Sequence, residues 1–514
     1  MNILKEIPQC HWVWFWSGNW PLLDGWYYFS KEMEDYFVKF CGIPARIMHG
    51  FYVNGIATEY HAQEEYDKME AFLLKKFEKD PDFIMRSIKD HGKLAKKDIT
   101  ALKKIRKIQV TKKSNEEIIK IFKKTREHFI YNSSIDIYVM YIEKFFVPIL
   151  QKYLEKRLKE LSKSEKLPEY METLIMPIKP SRVFKQRTEL FIIIEEIRKN
   201  KEMVKMIQQK KEMKALFDKY PVIAKKIEEH VQKHCWLHMV VNAPLLTKEE
   251  LWEEITKIID NNEPFTIKSR RIGDNYNPKI KEKKQKLIDE LHPDEKMRTL
   301  IKSLAEIAFI RTEDNAVGGE SSYQIIPLYN EIAKRLGISY QDLKQLTPEE
   351  VVSFLEKGKN VAKPFLQERY QLTYRFKHNG ERGLYFGKEA DKCRKAIEKQ
   401  IKKGRKDKDV FYGTPASLGK ATGRVKLGLS YEQAMKIKQG EILVAPSTSA
   451  YYVPAMRKAA AIITEFGGMT SHAGIVARET KVPCIVGVER ITTILKDGDL
   501  IEVDADKGII KKVK

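Results

Sequence analysis

Cysteine is scarce and scattered. The five, Cys10, Cys41, Cys235, Cys393 and Cys484, have neither zinc-site nor disulfide-framework spacing, which fits a reducing compartment. Long apolar runs are missing as well. None reaches the roughly 20 residues that cross a bilayer, and the Trp-rich beginning, with Lys5, Glu6 and Pro8, has no signal-peptide core. A cytoplasmic protein without a membrane partner is expected. No glycine-rich loop of the P-loop kind occurs, so that route to nucleotide binding is absent from the sequence. Acidic residues are in deficit: 71 Asp plus Glu face 94 Lys plus Arg, for a net charge of +23. The lysines are spread through helical-looking segments such as 103–113 and 199–214, the pattern of solvated helix faces. No nucleic-acid recognition module accompanies them, so an acidic or phosphorylated substrate, or an acidic protein, is expected before nucleic acid.

What is present divides 514 residues into several domains. Residues 1–61 form an aromatic-rich α+β segment in which Trp12, Trp14 and Trp16 alternate with Val13 and Phe15 at strand period, and 42–53 is a second extended stretch. These aromatics either wall a pocket for a planar substrate or fill a small core. Residues 62–260 have helical periodicity, with one helix beginning at 115 and another over 135–161 interrupted or kinked at Pro148. Within that domain His230, His234 and His238 fall at i, i+4 and i+8. A histidine pair at i, i+4 can hold zinc, but the ligand count falls short and no His-Glu-x-x-His arrangement is present. No metal is therefore expected on this chain, and the three read as a surface stripe or a polar face lining a cleft.

Residues 261–403 are read as a further helical region, with helices over 279–291, 294–309 and 327–336. Arg311 is expected at a helix end, where it either contacts a phosphate or caps the C-terminus. Thr347, Pro348 and Glu350 make a capping box. Strands are expected near 370–376 and 383–386, then a basic helix, and 404–412 reads as a hinge linker.

The most informative stretch is 464–479. Ala459 to Thr464 is a short apolar run that reads as a buried strand, and Gly467-Gly468 permits a sharp turn after it. A helix follows, N-capped by Thr470 or Ser471 and stopped before Pro483. His472 then sits where unpaired backbone N–H groups and the positive end of the helix dipole converge, a place suited to a phosphoryl group. A histidine capping an ordinary α/β unit fits the same residues.

Gly-Gly-x-Thr-x-His-Ala followed by two aliphatics, Ala-Arg and Glu, here Gly467 to Glu479, resembles the swivelling phosphohistidine domain of the phosphoenolpyruvate (PEP)-utilising enzymes: pyruvate phosphate dikinase, PEP synthase and rifampin phosphotransferase. The likeness extends through 413–425, 482–488 and 497–508, about one fifth of the chain. Gly474 departs from it, standing where a small residue bearing a Cβ is usual. So does 446–454, which lacks the acidic residue common in relatives. A looser likeness of the middle region to the helical substrate domain of rifampin phosphotransferase rests on Arg311, an Arg-Leu-Gly helix end and Leu-Thr-x-Glu-Glu.

The resemblance implies an α+β multidomain protein, mostly helical in its N-terminal and middle regions, with a C-terminal β/β/α swivelling domain over 413–514. It implies His472 as phosphoryl carrier, with Gly468, Thr470, Ser471 and Ala473 around the phosphate and Thr470 as a regulatory position. The ATP-grasp and TIM-barrel domains of these enzymes are not recognisable here. The expectation is thus a phosphotransferase component that carries a phosphoryl group from a nucleotide- or PEP-binding partner, an ATP-grasp protein, to a small-molecule acceptor. Mg2+ would arrive with ATP or PEP through that partner, and no cofactor is expected on this chain. The alternative is a non-catalytic module that binds a ligand or docks a dikinase-like protein.

Overall fold

Strand-forming residues near the N-terminus find part of their partners some 325 residues later, where Tyr374 bonds to His49. The computed structural model describes residues 3–10, 12–18, 23, 31–42, 46–53, 56–238, 245–260, 270–358, 360–403, 409–429, 431–448, 452–465, 467–468, 471–488 and 490–513. Strands β1 (Trp12–Gly18), β2 (Ile47–Val53), β3 (Ile56–Ala62), β4 (Leu372–His378) and β5 (Glu381–Phe386) make one antiparallel sheet of order β1-β3-β2-β4-β5. The 1–61 segment, expected to stand alone, therefore shares its sheet with residues beyond 370. Burial is the reason, because β2 and β4 are covered on both faces.

Period-two alternation gives those faces different characters. Phe51, Tyr374 and Phe376 pack with Ile3, Ile7 and, from the helix Gly387–Lys403, Ala390, Cys393 and Ile397. On this face Tyr374 Oη lies 2.6 Å from His49 Nδ1, and Trp12 and His49 have ring centroids 4.3 Å apart. The opposite face carries Arg375, paired with Glu59 and lying 4.7 Å over the Tyr52 ring, all three buried. Gly50 leaves room for it, since a Cβ there would come within 3.0 Å of Arg375 Nε.

Two helices run through their expected breaks. Asn115–Glu160 is one helix of 46 residues, opened by a Ser114/Glu117 capping box and passing Pro148. Phe145 and Phe146 before the proline, and Leu150, Leu154 and Leu158 after it, are buried. That packing outweighs the cost of about 3 kcal/mol for proline inside a helix. Likewise Glu295–Arg335 is a single helix of 41 residues despite Gly318-Gly319 and Pro327. Its last turns pack Leu328, Tyr329 and Ile332 against Ile118 and Phe122. The helix expected from 279 begins earlier, as Arg270–Leu291.

Contacts divide the chain into two units, Met1–Glu172 with Ile325–Lys514, and Thr173–Gln324, and not at 61, 260 and 403 as expected from the sequence. The second unit is helical. Arg182–Lys199, Lys201–Gln208, Pro221–His234 and Lys248–Asp260 surround Leu190, Ile194, Ile227, Leu251 and Ile255.

At the C-terminal end of the first unit, eight strands form a second sheet: β6 (Val410–Tyr412), β7 (Thr414–Ser417), β8 (Lys420–Leu427), β9 (Ile442–Ala445), β10 (Ala461–Thr464), β11 (Cys484–Val486), β12 (Leu500–Asp504) and β13 (Ile509–Lys512). Their order is β6-β13-β12-β8-β9-β10-β11-β7, and β8 to β11 run parallel. β10 is buried throughout. Ile462 faces one core with Leu443, Met456 and Ala477, whereas Ala461 and Ile463 face the other with Val425, Val444 and Ile501. The chain is thus α+β and multidomain, mostly helical before this sheet. Of the expected hinge, 404–408 lie outside the described residues. Among the described residues no helix is long and apolar enough to cross a membrane.

Candidate functional site

The parallel strands β9 and β10 end side by side, with Ala445 opposite Thr464. Ligands of open α/β sheets bind beyond such C-terminal strand ends, and here both following segments turn toward one histidine. After β10 the Glu465 amide donates to Ala445 O at 3.0 Å, and the buried Glu465 carboxylate accepts from Thr492 Oγ1. Gly467 then turns the chain with φ +106°. A Cβ at that position would come 2.6 Å from Ser471 Cβ, so glycine is required twice over, for conformation and for room.

Ser471 is the N-cap. Its amide donates to Gly468 O at 3.0 Å, and its side chain accepts from the Gly474 amide at 3.3 Å. The helix that follows is His472–Thr480. Ala473, Val476 and Ala477 bury its inner face, whereas Ile475 is only partly buried. Lys481 closes the helix in the left-handed conformation, with the Val482 amide donating to Ala477 O at 2.9 Å. Arg478 ties this closing turn to β7 through Ala416 O at 2.8 Å, and it also pairs with Glu172 at 3.0 Å.

His472 is therefore the first residue of a capped helix, partly exposed, with its backbone anchored on both sides. Its Nδ1 lies 2.9 Å from Thr448 Oγ1, in the segment after β9. When Nδ1–H donates to that hydroxyl, the lone pair is on Nε2. The nearby Cys484 is no competing nucleophile, because burial pushes its thiol up to about 12 against a smaller opposing effect of Arg478.

Of the residues singled out from the sequence, Gly468, Ser471, His472 and Ala473 come together here, and Thr470 lies outside the described residues. Arg311 is not at a helix end. It lies inside Glu295–Arg335, because packing beyond residue 325 carries the helix on. His230 and His234 are buried, not a surface stripe, at the end of Pro221–His234, while His238 falls in the separate 3-10 turn Cys235–His238. The three consequently do not share one α-helical face. Sequence reasoning missed Thr448 and Glu465. Two apolar runs ending in adjacent parallel strands would have pointed to the residues just after each.

Comparison with known proteins falls on the same part of the chain. Residues 437–508 match the family described as PEP-utilising enzyme, mobile domain. A probable phosphoenolpyruvate synthase of Archaeoglobus fulgidus is 44% identical over 119 residues, 23% of this chain and 16% of that protein. The phosphoenolpyruvate synthase of Aeropyrum pernix is 48% identical over 99 residues, 19% of this chain and 12% of that protein. A probable phosphoenolpyruvate synthase of Pyrococcus abyssi is 30% identical over 183 residues, 35% of this chain and 22% of that protein. That last alignment is longer than the C-terminal domain and so extends beyond it. The chain spans less than a quarter of the length of these relatives. The likeness to the mobile domain of PEP-utilising enzymes thus lies over 437–508 in the C-terminal domain.

Proposed function

We propose that the chain is a phosphotransferase component in which His472 carries a phosphoryl group between two separate sites. The observation that carries this reading is the placement of His472 as the first residue of a Ser471-capped helix, with Nδ1 held by Thr448. In the first transfer the Nε2 lone pair attacks phosphorus. A P–N bond forms as the bond from phosphorus to the donor's leaving oxygen breaks. The first N–H groups of the helix and its dipole favour the phosphoryl oxygens. In the second transfer an acceptor oxygen attacks the same phosphorus, the P–N bond breaks, and the imidazole is released as the acceptor's proton passes to solvent. Ser471 and Gly467 act by positioning, because they fix the turn that presents the ring.

The donor belongs to a nucleotide- or PEP-binding partner, an ATP-grasp protein, which brings Mg2+ with its substrate. The acceptor is a small molecule bound by the N-terminal part of the chain. Labelled ATP and labelled PEP, each offered with and without an ATP-grasp domain of a PEP synthase, test this directly. Wild type is expected to take up acid-labile, base-stable label, and His472→Ala to take up none while keeping its circular dichroism. Equal labelling of the folded His472→Ala protein would overturn the carrier role, and absence of label from folded wild type would favour a docking module instead.

A further inference from the structure

The second unit holds a cluster that phosphoryl carriage does not use. Glu189, on the helix Arg182–Lys199, faces His230 and His234 at i, i+4 on Pro221–His234, and the three offer ligand atoms that all lie within 4.8 Å of one another. Both imidazoles are buried, at 4% and 6% exposure, with ring centroids 4.7 Å apart. His234 Nε2 is 2.7 Å from Glu189 Oε2, and Lys233 Nζ is 2.6 Å from Glu189 Oε1. On the other side, Gln186, one turn before Glu189, places its amide nitrogen 3.0 Å from His230 Nε2.

We propose that Glu189, His230 and His234 bind a single divalent transition-metal ion of the zinc class, through two imidazole Nε2 atoms and one carboxylate oxygen, with a remaining position for water. Two imidazoles and a carboxylate are a ligand set that zinc takes with an open fourth site. The distances suit it. Metal–ligand bonds of about 2.0–2.1 Å put tetrahedral ligand atoms about 3.3 Å apart, so His234 and Glu189, at 2.7 Å, open slightly, and the widest separation of the trio, within 4.8 Å, closes by up to about 1.5 Å on binding.

The protonation states also suit it. The Gln186 amide donates to His230 Nε2, which leaves that nitrogen as the basic one. Binding displaces the proton that His234 shares with Glu189, and turning the Gln186 amide over would offer its oxygen to a metal-bound water. The sequence alone could not complete this set, since Glu189 comes from a different helix 41 residues before His230.

The test uses the full chain, stripped with a chelator and titrated with Co2+ and then Zn2+. One equivalent of Co2+ is expected to give the visible absorption of a four- or five-coordinate site, and one equivalent of Zn2+ to remove it. His230→Gln and His234→Gln are each expected to weaken Zn2+ binding by more than the ~10–100-fold that loss of an outer-shell partner costs, and Gln186→Ala by an amount within that range. Far-UV circular dichroism of each variant against wild type serves as an independent check that the variants fold. No cobalt absorption from folded wild type, or Zn2+ affinity unchanged in the folded His230→Gln/His234→Gln double variant, would overturn the proposal and leave the cluster as a polar clasp between two helices.

Discussion

The two sheets of this protein are built on opposite principles. The parallel strands β9 to β11 of the C-terminal sheet are short, largely aliphatic runs, and the domain built on that sheet has none of the seven tryptophans and one of the eleven histidines, at the sheet's rim. The N-terminal sheet buries charge and imidazole instead: Arg375, Glu59, Lys377, His49, His61 and His378 all lie in or against it. The first has a mostly apolar core, with Glu465 as its buried carboxylate, and carries His472 at its rim. In the second, polar groups are part of the core itself, so its stability depends on pairing and protonation as well as on apolar area.

Acid should separate the two most strongly. Burial holds His61, on β3, down to about 3, and His49, on β2, well below its usual value, with His378 adding to the effect on His49. Each depressed pKa means that the unfolded chain binds the proton more readily than the native one. Stability is therefore fully present above pH about 6.5 and falls as pH drops toward 3, by roughly 1.4 kcal/mol at each ring for every tenfold by which folding weakens its hold on the proton. Tryptophan fluorescence, which reports only regions outside the C-terminal sheet, is expected to lose its native signal within that range. The C-terminal sheet, with no histidine in its core, should be far less affected. A flat fluorescence signal down to pH 4 would break the contrast.

Next in size is Glu59→Ala, which strands the Arg375 guanidinium in the core. A loss of about 3–5 kcal/mol in urea unfolding is expected, whereas replacing the pair by apolar residues of similar volume should cost much less. Smallest is Ser471→Ala in the C-terminal domain. Loss of the cap should cost about 1 kcal/mol, yet the rate of phosphoryl uptake should fall more than that stability change alone explains, because the first turn of the helix frays where His472 sits. Uptake at the wild-type rate would mean that the cap is only structural.

The same contrast explains what could be read from the sequence. In the C-terminal domain the turn, the cap and the helix follow one another within twenty residues, so local rules place Ser471, His472 and Ala473 directly. Thr448 was not legible, because it reaches His472 only through the side-by-side parallel pairing of β9 and β10. In the N-terminal sheet the extended character of 12–16, 370–376 and 383–386 follows from local pattern, although the strands run as Trp12–Gly18, Leu372–His378 and Glu381–Phe386. Nothing local says that β2 pairs with β4, or that Arg375 needs Gly50 and Glu59. The unbroken helices past Pro148 and Pro327 were hidden for the same reason: tertiary packing on both sides of each proline overrides a local breaker. Arg311 was misplaced as a consequence.

The most direct measurement is to offer the protein labelled ATP or PEP with an ATP-grasp domain of a PEP synthase and locate any phosphoryl group by phosphorus NMR and by peptide mapping under base-stable conditions. One phosphoryl group on Nε2 of His472 is expected, because Thr448 holds Nδ1. A phosphoryl group on any other residue, or on Nδ1 of His472, would contradict it.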